Sequence, residues 1–126
     1  MAHLPRILLV DDDPAVRASL LFSLELQGFA VETYERGEDL AERTTFPDHG
    51  CLVLDYRLPG IDGVELLESL RQRGINLPAV LITSAPSREL RRRAAEAGAV
   101  IVEKPLLCDA LTAAVRTGLA DQWLAA

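Results

Sequence analysis

The sequence predicts a doubly wound α/β fold, a five-stranded parallel sheet with five helices divided between its two faces. Two observations carry this. Five short runs rich in Val, Ile and Leu alternate along the whole chain with segments whose apolar residues recur three and four apart. No internal repeat, low-complexity stretch or linker interrupts that alternation. Parallel strands need crossover connections, and these are right-handed, so five such units in sequence build one parallel sheet covered on both faces.

The strands are expected at residues 6–10, 30–34, 51–54, 79–83 and 99–102, and the helices at 14–27, 37–43, 63–73, 88–97 and 107–119. Asp13-Pro14 sets a capping carboxylate before a proline at the first helical position, where the missing N–H costs nothing. Gln27-Gly28 ends that helix. The second helix is short and weakly periodic, and its end falls somewhere before Asp48. Pro59-Gly60 reads as a tight turn, and Asp62 with Glu65 three residues later has the form of a capping box for the third helix. Ser87 is placed to cap the fourth. The inward stripes include Leu20/Leu24, Leu90/Ala94/Ala97 and Leu107/Leu111/Val115.

A chain of 126 residues removes roughly two-thirds of its unfolded surface from water and needs no disulfide or structural metal. One domain is expected, over residues 5–122. Thirteen basic against nineteen acidic residues give net −6, which argues against direct nucleic-acid binding by this domain and for a protein partner or a cation. Cys51 and Cys108 lie in apolar surroundings without metal-ligand spacing and read as reduced core residues of a cytoplasmic protein. The first apolar run, ending in three aspartates, is too short for a signal peptide, and nothing is long enough to span a membrane. No second domain is expected within these residues, so an output element would be a separate protein or a part of a longer regulator.

In an open parallel sheet, ligands bind outside the carboxyl ends of the strands, where the strand order reverses. The polar residues gather there. Asp11, Asp12 and Asp13 follow the first strand, Asp55 the third, Thr83 and Ser84 the fourth, and Glu103, Lys104 and Pro105 the fifth. Asp13 is accounted for as a cap; Asp11, Asp12 and Asp55 have no local backbone role and form the candidate site. Three clustered carboxylates repel in a partly buried cleft, so they must protonate, splay apart or bind a cation. Oxygen donors without His or Cys favour Mg²⁺ or Mn²⁺ over zinc. An aspartate beside such an ion is a plausible nucleophile toward a phosphoryl group. Lys104 is the only lysine among thirteen basic residues, and a compact ammonium approaches a phosphate oxygen more closely than a guanidinium does. Thr83 offers one hydroxyl to the same group.

Together, Val10-Asp11-Asp12, Leu54-Asp55 with Pro59-Gly60 and Asp62-Gly63, Ile82-Thr83-Ser84-Ala85 and Glu103-Lys104-Pro105 resemble the receiver domain of two-component response regulators over nearly the whole chain. Gly28-Phe29-Ala30-Val31 and Gly63-Val64-Glu65-Leu66-Leu67 look closest to its FixJ-like members. The resemblance implies a flavodoxin-like, CheY-like (βα)5 arrangement. It implies that Asp55 accepts a phosphoryl group from a phosphohistidine of a sensor histidine kinase or from a small donor such as acetyl phosphate. Asp12, Asp55 and the Arg57 carbonyl would ligate Mg²⁺, with Asp11 acting through a water. Thr83 and Lys104 would engage the phosphoryl oxygens, Lys104-Pro105 would be a cis peptide, and Thr83 would couple the site to the face formed by the fourth helix, fifth strand and fifth helix. Family members also hydrolyse their own aspartyl phosphate, so the expected role is a regulatory phosphoacceptor rather than an enzyme, with a downstream protein or output domain as partner and a homodimer as an option. One position departs from the pattern: the aromatic switch residue usual three places before the lysine is Ile101, in a segment one residue shorter than expected.

Each residue also has a plainer reading: Asp11/Asp12 as a solvated acidic loop, Thr83 as strand filler, Lys104 and the Arg57 side chain as solvent-facing. His3 and His49 read as surface residues, and Arg91-Arg92-Arg93 as a solvated helix face that a partner would meet. Trp123 and Leu124 are compatible with a helix extension, a dimer contact or the start of a linker. Three rival functions compete. A haloacid-dehalogenase-like phosphatase wants a second Asp two residues after the nucleophile, where this chain has Arg57. A flavin binder would not carry three aspartates at its phosphate loop. A degenerate receiver acting only as a binding module is disfavoured by the complete Asp/Asp/Asp/Thr/Lys set, and Ile101 keeps it in view.

Overall fold

The computed structural model describes residues 4–106 and 109–125, the last three by backbone alone. Its elements run β1 (Arg6–Val10), α1 (Pro14–Leu26), β2 (Ala30–Tyr34), α2 (Gly37–Ala41), β3 (Gly50–Asp55), α3 (Gly63–Gln72), β4 (Ala79–Thr83), α4 (Arg88–Glu96), β5 (Ala99–Glu103) and α5 (Ala110–Ala125). All four strand pairings are parallel, in the order β2-β1-β3-β4-β5. The expected doubly wound fold is therefore present, with its reversal of strand order between β1 and β3.

Strand residues alternate between two cores, because successive side chains of a strand point to opposite faces. Leu8 and Val10 of β1, Leu52 and Leu54 of β3 and Leu81 of β4 join Val64, Leu66, Leu67 and Leu70 of α3 and Leu90 and Ala94 of α4. Ile7, Leu9, Val53, Val80 and Ile82 instead meet Leu24 of α1 and Leu111 and Val115 of α5. β3 is buried at every position, as a central strand covered on both faces must be. Each fully buried leucine contributes about 1.5–3 kcal/mol over its exposed state, and these rows hold the strand ends in register.

The caps read from sequence form. Asp13 accepts from the amides of Ala15 and Val16, Asp62 and Glu65 make the reciprocal capping box, and the Ser87 hydroxyl accepts from Leu90 N at 3.0 Å. Boundaries shift where tertiary pairing outweighs local preference. β3 starts at Gly50, which pairs with Arg6, and includes Asp55, which pairs with Ile82. β5 extends to Glu103, opposite Thr83. α2 stops at Ala41, two residues early, and Arg73 then donates to the Ala41 and Arg43 carbonyls. α1, α3 and α4 each end one residue sooner, with Gln27, Arg73 and Ala97 as C-caps. α5 runs six residues past its expected end, so the backbone at Trp123 and Leu124 is a helix extension. Gln122 ties that extension to the sheet, accepting from Gly50 N and donating to Asp48 O. Its expected start at Leu107, the core assignment of Cys108 and the tail histidine His3 lie outside the described residues.

Cys51 is free and fully buried, and burial pushes its thiol up to about 12. No helix among the described residues is long and apolar enough to cross a membrane.

Candidate functional site

The strand order puts the ends of β1 and β3 side by side at the reversal point, and the acidic residues sit there. Asp11 follows Val10 directly, its amide held by the Tyr34 carbonyl at 3.1 Å. Asp55 closes β3, and the next amide, Tyr56, donates to Ile82 O at 2.9 Å, which fixes Asp55 against β4. Carboxylate oxygens of Asp11, Asp12 and Asp55 all lie within 4.8 Å of one another. Asp11 and Asp55 are 1% and 4% exposed, whereas Asp12 faces solvent. The cluster is thus closed on the protein side and open through Asp12, toward a cleft lined by Asp12, Tyr56, Arg57, Leu58, Pro59 and Asp62.

Burial raises both inner carboxyls above the ordinary aspartate value. For Asp11 the upward push of burial is opposed by the Asp13 amide, which donates to Oδ1 at 2.9 Å, and reinforced by Asp55. For Asp55 burial again dominates, opposed by Lys104 and reinforced by Asp12. Lys104 Nζ lies 3.2 Å from Asp55 Oδ1 as an ion pair, yet among the described residues that oxygen has no well-aligned hydrogen bond, and it is sealed from water. A buried carboxylate oxygen without a hydrogen-bond partner is costly. With only hard oxygen donors around it, the residues present fit a divalent cation of the magnesium class, leaving positions for other oxygen ligands.

Thr83 ends β4, beside Ile82 and so one residue past the register partner of Asp55, and is 4% exposed. Its hydroxyl makes only a long 3.4 Å contact to the Ser84 carbonyl, so it can turn to another acceptor at small cost. Lys104 N donates to Thr83 O at 2.8 Å, which locks the lysine to the same rim, and Lys104-Pro105 is cis. Asp11, Asp12, Asp55, Thr83 and Lys104 are all brought to one end of the sheet, with Arg57 on the cleft wall. Ile101 is half-buried, paired with Leu81 and packed on the α3/α4 core, so it occupies a hydrocarbon position in that core and has no hydroxyl or ring to offer Thr83.

Three features of the surroundings were not readable from sequence. The Arg17 guanidinium donates to the Asp11 carbonyl at 2.7 Å, holding the first acidic turn from α1. Glu38 of α2 accepts from Ile61 N at 3.3 Å in the loop after Asp55. Three arginines of α4 are paired while Arg91 and Arg92 stay more than half exposed: Arg91 pairs with Glu103, Arg92 with Glu89 and Glu96, and Arg93 with Glu68. Most of these contacts join different elements and so leave no local pattern; the exception is Arg92, whose partners Glu89 and Glu96 stand three and four residues away, the spacing at which helical ion pairs form.

Comparison with known proteins agrees with this geometry. A family model for the response regulator receiver domain matches residues 7–116. The C4-dicarboxylate transport transcriptional regulatory protein DctD of Pseudomonas aeruginosa is 41% identical over 117 residues, covering 90% of this chain and 25% of that protein. The transcriptional regulatory protein FixJ of Azorhizobium caulinodans is 40% identical over 111 residues, covering 87% and 53%. Among solved structures, the response regulator StyR superposes with a TM-score of 0.88 at 37% identity, over 98% of this chain and 63% of that one. FixJ-N gives 0.83 at 35%, over 94% and 96%. The chain spans about half or less of the length of these two curated relatives. With its (βα)5 sheet, its acidic pocket at the strand reversal and a family match over most of its length, the chain belongs to the response regulator receiver domains of two-component signalling and is FixJ-like.

Proposed function

We propose that this domain is a Mg²⁺-dependent phosphoacceptor that takes a phosphoryl group on Asp55 from a sensor histidine kinase phosphohistidine and passes the change to a downstream protein or output domain. The observation that carries the reading is the buried Asp55 carboxylate, set among Asp11, Asp12 and Lys104 with one oxygen lacking a hydrogen bond. The complete polar set favours it over a receiver in shape only.

In the proposed reaction an Asp55 carboxylate oxygen attacks phosphorus, an O–P bond forms, and the bond from phosphorus to the donor's imidazole nitrogen or acetate oxygen breaks with its electron pair leaving on the donor. Asp11, Asp12, Asp55 and the Arg57 carbonyl are the groups that would hold Mg²⁺. The ion supplies neutralisation of the negative charge that the phosphoryl oxygens bring among the carboxylates. Lys104 carries the other positive charge to those oxygens, and the Thr83 hydroxyl is the donor free to follow them. The rearrangement reaches the surface through Thr83 and β5, where Ile101 changes its packing against the α3/α4 core in place of an aromatic ring.

Incubation with acetyl phosphate and Mg²⁺ should add one phosphoryl mass to the intact protein, and chelation with EDTA should prevent it. A chain that takes no phosphoryl group from acetyl phosphate or from any phosphorylated histidine kinase while folded and metal-bound contradicts the reading. Lys104→Ala should leave Mg²⁺ affinity within about threefold of wild type while slowing formation of the phosphorylated state about 10²-fold or more, the size expected for a lost charge at the transferring group. Comparing Mg²⁺ titration with labelling rate checks both halves; a large loss of Mg²⁺ affinity contradicts the role given to the lysine.

A further inference from the structure

The loop from Tyr56 to Gly63 carries Arg57 and forms one wall of the cleft beside Asp12. Its ends are tied together, since Gly63 N donates to Tyr56 O at 2.9 Å. Between those ends, a side chain from another element reaches the backbone of the turn: Glu38, in the first turn of α2, accepts from Ile61 N at 3.3 Å. The carboxylate lies directly over the α-carbon of Gly60. A methyl group built there would come within 2.1 Å of Glu38 Oε2 and 3.2 Å of Oε1. Gly60 also has φ +76, so the turn needs glycine both for its backbone angle and for the room the carboxylate occupies.

Glu38 is poorly served by this arrangement if its role is only to fill space. The side chain as a whole is 41% exposed, but Oε1 is turned from solvent and has no hydrogen-bond partner among the described residues, with Arg36 Nε 3.9 Å away at the edge of ion-pair range. A half-exposed carboxylate that turns one oxygen inward without a hydrogen bond calls for an explanation. The other oxygen points to one. A loop that must present a backbone carbonyl to an ion works best when its geometry is fixed beforehand, because ordering it at the moment of binding subtracts from affinity.

We propose that Glu38 is a positioning residue for the phosphoacceptor site: it pins the Gly60-Ile61 turn and thereby holds the Arg57 backbone ready for the metal. This rests on the reading of Asp55 and its neighbours as a Mg²⁺-dependent phosphoacceptor site. Glu38 contacts neither metal nor phosphoryl group, so its removal acts on affinity and leaves the chemistry at Asp55 intact.

The test uses Glu38→Ala and Glu38→Gln in the full chain, with Mg²⁺ alone as the probe by calorimetry, Ile61 amide exchange by NMR without metal, and acetyl phosphate labelling. Glu38→Ala should weaken Mg²⁺ binding about tenfold, the factor associated with one hydrogen bond to a charged acceptor. It should also speed exchange at Ile61, while the labelling rate at saturating Mg²⁺ stays at the wild-type value. Glu38→Gln keeps an acceptor oxygen and should return Mg²⁺ affinity to within about threefold of wild type. Wild-type Mg²⁺ affinity in a folded Glu38→Ala protein overturns the proposal, and so does unchanged Ile61 exchange. A wild-type chain that binds no Mg²⁺ and takes no phosphoryl group overturns the underlying reading of the site instead, and Ile61 exchange, measured without metal, still reports separately on the tether.

Discussion

Asp55→Asn is expected to abolish phosphoryl labelling and, in metal-free buffer near pH 7, to raise the unfolding midpoint. The two effects have one physical origin. Asn keeps the shape of Asp55 but removes the nucleophilic charge, so no aspartyl phosphate can form at that position. It also removes a charge that folding buries among Asp11 and Asp12. Burial raises the Asp55 carboxyl above its ordinary value, in spite of Lys104. A carboxyl raised in the folded state binds its proton there at a pH where the unfolded chain has already lost it. Stability then falls as pH rises from the ordinary carboxylate range through the raised folded value, and the full penalty stands above it. The gain from Asp55→Asn should therefore grow as pH rises above 3.8 through the raised folded value and shrink as pH drops back toward and below 3.8. Thermal melts across that range with chelator present check the sign; a variant less stable than wild type at neutral pH contradicts the account of the cluster as strained. Mg²⁺ should narrow the difference, because a ligand that binds only the folded wild type stabilises it.

Gly63→Ala should destabilise the fold by about 1–3 kcal/mol, the cost of forcing extra volume into a packed position, and should impair labelling as well. Gly63 starts α3 directly against the backbone of Asp55. A methyl group there would come within 2.4 Å of the Asp55 carbonyl oxygen and 2.9 Å of a Leu81 methyl. The leucine tip can move, but the carbonyl belongs to a strand paired with Ile82 and cannot do so alone. Relief must come from displacing α3 or Asp55 itself. Urea denaturation and the labelling rate of the same sample should both report the change. Wild-type values for both would mean that the strand end is not held by this contact.

How far the sequence revealed this molecule depends on the range of the interactions involved. Element order, caps and the strand-end polar residues follow from local patterning, and they emerge as read: Asp13, Asp62 and Ser87 all cap helices. The acidic cluster was legible because topology alone brings the ends of β1 and β3 together. Boundaries drifted where a partner strand recruited a residue of weak preference, as with Gly50 opposite Arg6 and Glu103 opposite Thr83. Glu38 went unnoticed because its partner lies 23 residues away: Pro59-Gly60 marks the turn, but nothing local says which side chain of another element reaches it. Arg91-Arg92-Arg93 read as a solvated helix face; Arg92 has Glu89 and Glu96 at helical spacing, whereas the pairing of Arg91 with Glu103 and Arg93 with Glu68 crosses between elements and shows only in the structure.

The central claim, that Asp55 is the residue that takes the phosphoryl group, is tested most directly by trapping the acyl phosphate. The protein labelled by acetyl phosphate is reduced with borohydride, which converts a phosphorylated aspartate to homoserine, and its peptides are sequenced by mass spectrometry. The account predicts homoserine at position 55 alone, with Asp11 and Asp12 recovered unchanged. Homoserine at position 11 or 12, or label that survives in Asp55→Asn, would contradict it.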